Sequence, residues 1–195
     1  EAVADRNFRL QDEVWKYAWD DELGTIPPRP ITDRAISVMR NHNPERLVVH
    51  YMQPHYPFIE DPDLHPGIDI DRFGNLPWDN VWEMLRNGEV DRNRVLSAYE
   101  QNLRLVLDDV SILLESIDAD RVAISSDHGN ALGEYGIYGH PEEVPLASIR
   151  EVPWYETTAT DTGQYEPTEY PDKETDSSKP SSQEVTERLR DLGYY

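Results

Sequence analysis

The longest regular signal in the chain is a run of apolar positions spaced three and four apart. Between residues 93 and 120 they fall at Val95, Leu96, Tyr99, Leu103, Val106, Leu107, Val110, Leu113, Leu114 and Ile117. That spacing predicts one long amphipathic helix. A turn at Asp118–Asp120 follows, and then RVAISSDHG, whose apolar run predicts a buried strand. A shorter stripe of Ile31, Ala35, Ile36 and Met39 predicts a helix over 31–42, after the breaker run IPPRP and with Thr32 or Asp33 as its cap. In RLVVHYM, the residues Leu47, Val48, Val49 and Tyr51 predict a second buried strand. It stops at Gln53-Pro54, because proline cannot donate to a sheet ladder. Helix, short turn and apolar strand make half of a βαβ unit, so the expected class is α/β with a largely parallel sheet.

The rest of the chain is less regular. Residues 1–30 mix the aromatic anchors Phe8, Trp15, Tyr17 and Trp19 with acids. Residues 54–92 are rich in Pro, Asp, Gly and Trp and read as a long excursion with one short helix near 79–87. An excursion of that length inside a domain is usually functional or packed as a lid. From about residue 156 to 180 aliphatic residues all but vanish, which predicts a solvated acidic linker. The closing segment 181–195 predicts a helix. Ser181 and Glu184 have capping-box spacing, Val185, Leu189 and Leu192 form an apolar face, and Gly193 is a stop. The expected organisation is one α/β unit over 1–155, the linker, and the terminal helix.

Composition narrows the function classes. With 39 acidic residues against 18 basic ones the net charge is -21, and only Lys16, Lys173 and Lys179 are lysines. Such a surface repels nucleic acids and anionic membranes. It suits concentrated salt, where repulsion is screened within a few ångströms. No cysteine is present, which removes disulfides, thiolate metal sites and a cysteine nucleophile. No apolar run is long enough to span a bilayer. The opening EAVADRNFRL reads as neither a signal peptide nor a natural start, and a cytoplasmic location is the default expectation.

Candidate chemistry sits where the two predicted strands end. The first leads into Pro54-His55-Tyr56-Pro57-Phe58 and the second into Ser126-Asp127-His128-Gly129-Asn130. In an open α/β sheet, ligands lie beyond the carboxyl ends of the strands. Parallel strands would therefore bring His55, Asp127 and His128 to one rim. A carboxylate beside an imidazole suits a divalent transition ion such as zinc or manganese, and Gly129 would let the backbone turn sharply. Each feature alone has an ordinary explanation, such as a capped turn at Asp127 or a histidine in a rigid proline turn at 55.

Taken together, SSDHGNALGEYGIYGHP is similar to the C-terminal metal-binding motif of sulfatases and related members of the alkaline phosphatase superfamily. HYMQPHYPF resembles that family's Pro-His-x-Pro segment, and LRDLGY a common sulfatase ending. The resemblance covers about residues 46–155. It implies a three-layer α/β sandwich with a mostly parallel central sheet and with N-terminal strands missing. It implies that Asp127 and His128 ligate a divalent metal (Zn, Mn, Ca or Mg), which would act as a Lewis acid and activate the nucleophile. It further implies that His55 and His140 act at the anionic oxygens or the leaving group of a small-molecule, glycan or lipid ester. Asn130 stands next to the pair, either as a turn residue or orienting a ligand.

Two departures matter. Sulfatases carry a lysine where this chain has His140. Tyr138-Gly139-His140 is closer to the phosphatase and phosphoethanolamine-transferase branches, so sulfate and phosphate esters both stay open. No segment matches the family's nucleophile, since Pro27-Pro28-Arg29-Pro30 lacks the hydroxyl. The expectation is a sulfate or phosphate ester hydrolase whose nucleophile segment is absent here, inactive by itself, and with an exposed apolar sheet edge. Competing expectations are a phosphoethanolamine- or phosphoglycerol-type transferase, a non-catalytic acidic scaffold, and an unrelated α/β domain.

Overall fold

The computed structural model describes residues 10–64 and 81–170. Phe8, much of the 54–92 excursion and the expected 181–195 helix lie outside the described residues. Helices dominate. α1 spans Trp15–Ala18, α2 Pro28–His42, α3 Val81–Asn87, α4 Arg92–Leu114 and α5 Ala147–Arg150. The strands are β1 (Ala119–Ser125), β2 (Ala131–Leu132), β3 (Tyr138–Gly139) and β4 (Trp154–Ala159). Among the described residues, no helix is long and apolar enough to cross a membrane.

Helix α4 is the spine. Asp91 caps it, its carboxylate accepting from the Asn93 and Arg94 N–H groups at 2.9 and 3.0 Å, two donors a helix start otherwise leaves open. Its buried face is Val95, Ala98, Asn102, Val106, Asp109 and Leu113. That face is turned away from part of the expected stripe: Leu103 and Leu107 are 38% and 42% exposed, whereas the polar Asn102 is fully buried. Two apolar clusters sit at opposite ends of the helix. The first joins Val95 and Ala98 to Phe58, Leu64, Val81, Trp82 and Leu85. The second joins Leu113 and Ile117 to Ala35, Ile36 and Ala159.

Helix α2 starts at Pro28, earlier than expected. Proline is tolerated in the first turn, where its missing N–H would have no partner. Thr32 and Asp33, expected as caps, are instead buried inside the helix. The Thr32 hydroxyl lies 2.9 Å from that of Tyr51, and Asp33 accepts from the Tyr165 hydroxyl at 2.6 Å.

The expected three-layer sandwich with a parallel sheet is not what forms. Among the described residues there are two sheets of two strands, both antiparallel: β1 with β4, and β2 with β3. Residues 47–51, expected as a buried strand, take no place in either sheet, and Val48 is 82% exposed. The physical reason lies in β1 itself. Its residues alternate, with Val122 and Ile124 half-buried and Arg121, Ala123 and Ser125 exposed. That is the pattern of a ribbon with one open face, not of a strand covered on both. A helix-turn-strand signal is local and does not choose the strand's partner. Here the chain returns through α5 and lays β4 beside β1 in the opposite sense.

Residues 156–159, assigned to the linker by composition, complete β4, and the chain just beyond stays attached. Thr160 and Thr162 donate to the carbonyls of Leu114 and Glu115, both at 2.9 Å. Arg40 holds Asp161 with two bonds of 2.8 and 2.9 Å.

Asn102 closes the fold around the first histidine loop. Its amide donates to the carbonyls of His55 (3.1 Å) and Pro57 (3.0 Å) and accepts from the Ile59 N–H at 3.0 Å. Replacing Asn102 with alanine leaves three backbone groups without partners, each worth about 1–3 kcal/mol when buried. Urea unfolding of Asn102→Ala is expected to show a loss of about 2–4 kcal/mol once partial rehydration is allowed for. A loss below about 0.5 kcal/mol, the level of an ordinary surface change, would contradict this role.

Candidate functional site

Three histidines from two separated segments meet beside α4. His55 comes from the loop that Asn102 anchors. Both peptide bonds into its prolines, Gln53–Pro54 and Tyr56–Pro57, are cis. The buried Gln53 side chain ties the loop's other end to the Ile26 carbonyl at 2.9 Å. The His55 ring stacks on Tyr56 with centroids 4.4 Å apart, and its Nδ1 lies against the Tyr56 carbonyl.

Asp127 and His128 follow β1 directly. The Asp127 carboxylate accepts from the adjacent His128 N–H at 3.0 Å. His128 Nδ1 is 3.0 Å from the Gly129 carbonyl. A carbonyl only accepts, so Nδ1 carries the proton and Nε2 is left as the ring's ligating atom. Gly129 is required here for closeness rather than for a left-handed turn. Its N–H donates to the Ile149 carbonyl at 2.8 Å, and a Cβ would lie 2.2 Å from the Ser148 carbonyl oxygen. The α5 backbone thus presses on the Asp127-His128 turn.

His140 returns to the same place through a miniature hairpin. Ala131 pairs with Gly139 and Leu132 with Tyr138, so the next residues outward, Asn130 and His140, face each other. Tyr135 and Gly136 turn the hairpin with φ of 55° and 76°. His140 Nδ1 lies 2.7 Å from Asn130 Oδ1, and the Asn130 amide donates to the Tyr99 hydroxyl on α4 at 3.3 Å. The His140 ring is 4.1 Å from that of His128 and 5.7 Å from that of His55, centroid to centroid. Burial holds its pKa down at about 4, helped by the neighbouring His128 and His55 and opposed by Asp127.

A cleft of about 40 Å³ opens among His50, Met52, Pro54, His55, Tyr99, His128 and Asn130. It has room for a water or a bare ion but not for the body of an ester. His140 does not line it. Of the four sequence candidates, His128 and His55 line the cleft, while the exposed Asp127 and the half-buried His140 each neighbour His128. The lining residues His50 and Tyr99 were not singled out from sequence. His50 shares the HYMQPH run with His55, which was the available signal. Tyr99 was hidden within the apolar stripe.

For a divalent metal the fit is partial. Asp127 Oδ1 and His128 Nε2 are 3.8 Å apart, within the roughly 4 Å spanned by two bonds to one zinc ion. Among the described residues, no group of three or more histidine, aspartate or glutamate side chains is arranged to hold a metal. The pair is a two-donor half-site. No family model, no curated protein and no solved structure matches the chain. The sulfatase-like resemblance therefore rests on the motif residues alone.

The low pKa of His140 has a signed consequence. A free histidine takes its proton near 6.5, the folded one only near 4. Between those values the unfolded chain binds more protons, so stability falls as pH drops through the window and levels off below it. Unfolding measured against a His140→Gln control is expected to show this extra loss between about pH 6.5 and 4 and no pH dependence of the difference above about 7. An equal slope in both proteins would place His140 in an ordinary exposed environment.

Proposed function

We propose that this chain carries the metal-binding portion of a hydrolase for sulfate or phosphate esters, with Asp127 and His128 as metal ligands. The observation that carries the reading is the meeting of His55 and His128 at His140, although among the described residues no parallel sheet aligns them. Residues joined only by chance motif matches have no reason to bring their rings together. A divalent ion at the pair would supply Lewis acidity toward the ester oxygen and toward an attacking hydroxyl or water.

The chain's own residues divide the remaining work. His55 borders the cleft and is the group that meets the anionic oxygens. Asp127, exposed, supplies charge and a ligand oxygen. His128 is oriented by the Gly129 carbonyl so that Nε2 binds, the arrangement typical of ligating histidines. The cleft is too small for a substrate body, so the ester would reach it with its anionic end only. Phosphate esters are favoured over sulfate esters by the histidine at 140, where sulfatases carry lysine.

Calorimetry with Zn²⁺ and Mn²⁺ in concentrated salt tests the reading, comparing the chain with an Asp127→Ala, His128→Ala variant. Binding by the first and at least tenfold weaker binding by the second is expected, in line with the loss of two of a metal's ligands. Equal binding, or none, in both would remove the metallohydrolase reading and leave an acidic scaffold.

A further inference from the structure

Each of the three clustered imidazoles has its Nδ1 against an oxygen. For His55 and His128 the oxygens are the backbone carbonyls of Tyr56 and Gly129. For His140 it is a side-chain oxygen, Asn130 Oδ1, at 2.7 Å. The Asn130 amide nitrogen meets the Tyr99 hydroxyl at 3.3 Å. With Nδ2 spent on Tyr99, the atom facing His140 is the carbonyl oxygen, which only accepts. The β2–β3 pairing fixes the backbone on both sides of the contact.

We propose that Asn130 is a positioning residue that holds His140 as the Nδ1–H tautomer, so that the ring presents Nε2 as an acceptor. His140 then offers a lone pair at Nε2 and does not donate to an ester oxygen from that atom. This departs from the oxygen-contacting role that the resemblance implies for it. The relay runs from α4 through Tyr99 and Asn130 to the ring, and the helix thereby sets the proton position of that histidine. The functional weight of the assignment rests on the hydrolase reading, but the assignment itself does not.

The test uses the chain with ¹⁵N-labelled histidine, in concentrated salt at about pH 8, above the ordinary imidazole range of about 6.5. The two ring nitrogens of a neutral imidazole differ in ¹⁵N shift according to which bears the proton, and His140→Gln identifies the His140 signals by their loss. The wild type is expected to show Nδ1 protonated and Nε2 bare. Asn130→Leu, which keeps the volume and removes the acceptor, should move both signals toward the mixture of a free histidine, and Asn130→Asp should restore the wild-type pattern. Should Asn130→Leu fail to fold, Tyr99→Phe removes only the hydroxyl that holds the amide nitrogen away from His140 and should give the same shift toward a mixture.

A wild-type spectrum with Nε2 protonated would overturn the proposal, because it means that the amide is turned the other way. So would unchanged His140 signals in a folded Asn130→Leu or, where that variant does not fold, in Tyr99→Phe. Neither metal nor ester enters these measurements. A chain with the expected tautomer that binds no metal keeps this inference and loses the hydrolase reading, and the converse result separates them the other way.

Discussion

The place of His55 beside the other two histidines depends on one buried amide. Asn102 sits on the inner face of α4 with no exposure to solvent and satisfies three backbone groups of the 55–59 loop. A buried amide costs free energy unless each polar atom is paired. Here the pairing converts that cost into a fixed position for His55. One turn earlier on the same helix, Tyr99 reaches Asn130. The helix thus holds both histidine-bearing segments from one rigid surface, and the cleft forms between them. A parallel sheet would have brought the same residues together by strand direction. This fold does it with side chains of a helix.

The acidic composition has a structural counterpart in how the arginines are used. Arg40 grips Asp161 with two bonds, and Arg94 grips Asp61 with bonds of 2.8 and 2.6 Å. Arg29 meets Asp109, whose side chain is only 5% exposed, at 2.6 Å. Two-pronged contacts of this kind need a planar guanidinium, and lysine cannot supply them. The exposed pairs contribute little each. The Arg29–Asp109 pair differs, because removing Arg29 leaves the nearly buried Asp109 carboxylate without its guanidinium on the inner face of α4. With 39 acids on the chain, pinning selected carboxylates to arginines is how the segment around Asp161 and Tyr165 stays against α2.

Much of the helical content could be read from sequence, because α2, α3 and α4 each carry a three-and-four spacing or a flanking signal. The face of α4 could not. Leucines at 103 and 107 outweigh Asn102 and Asp109 in any apolar count, yet the polar pair is buried and the leucines are half open. Only partners distant in sequence, the 55–59 loop and Arg29, make that face favourable. The sheet was misjudged for a related reason, since the apolar run in RVAISS also alternates and its alternation is what β4 exploits. Gly129 was legible as special, but for the wrong cause: it answers to the α5 backbone and not to its own torsion. The four candidate residues stand out in the sequence because they sit in short motifs. That Asn130 links His140 to α4 was not, because the link runs through a tyrosine in the apolar stripe.

The central claim is that α4, acting through Asn102, brings His55 to the other two histidines. The direct measurement is the set of nuclear Overhauser contacts among the ring protons of His55, His128 and His140, in the wild type and in Asn102→Ala. The account predicts His128–His140 and His55–His140 contacts in the wild type, and loss of the His55 contact alone in the variant. A wild type without the His55–His140 contact, or a variant that keeps it, would contradict the account.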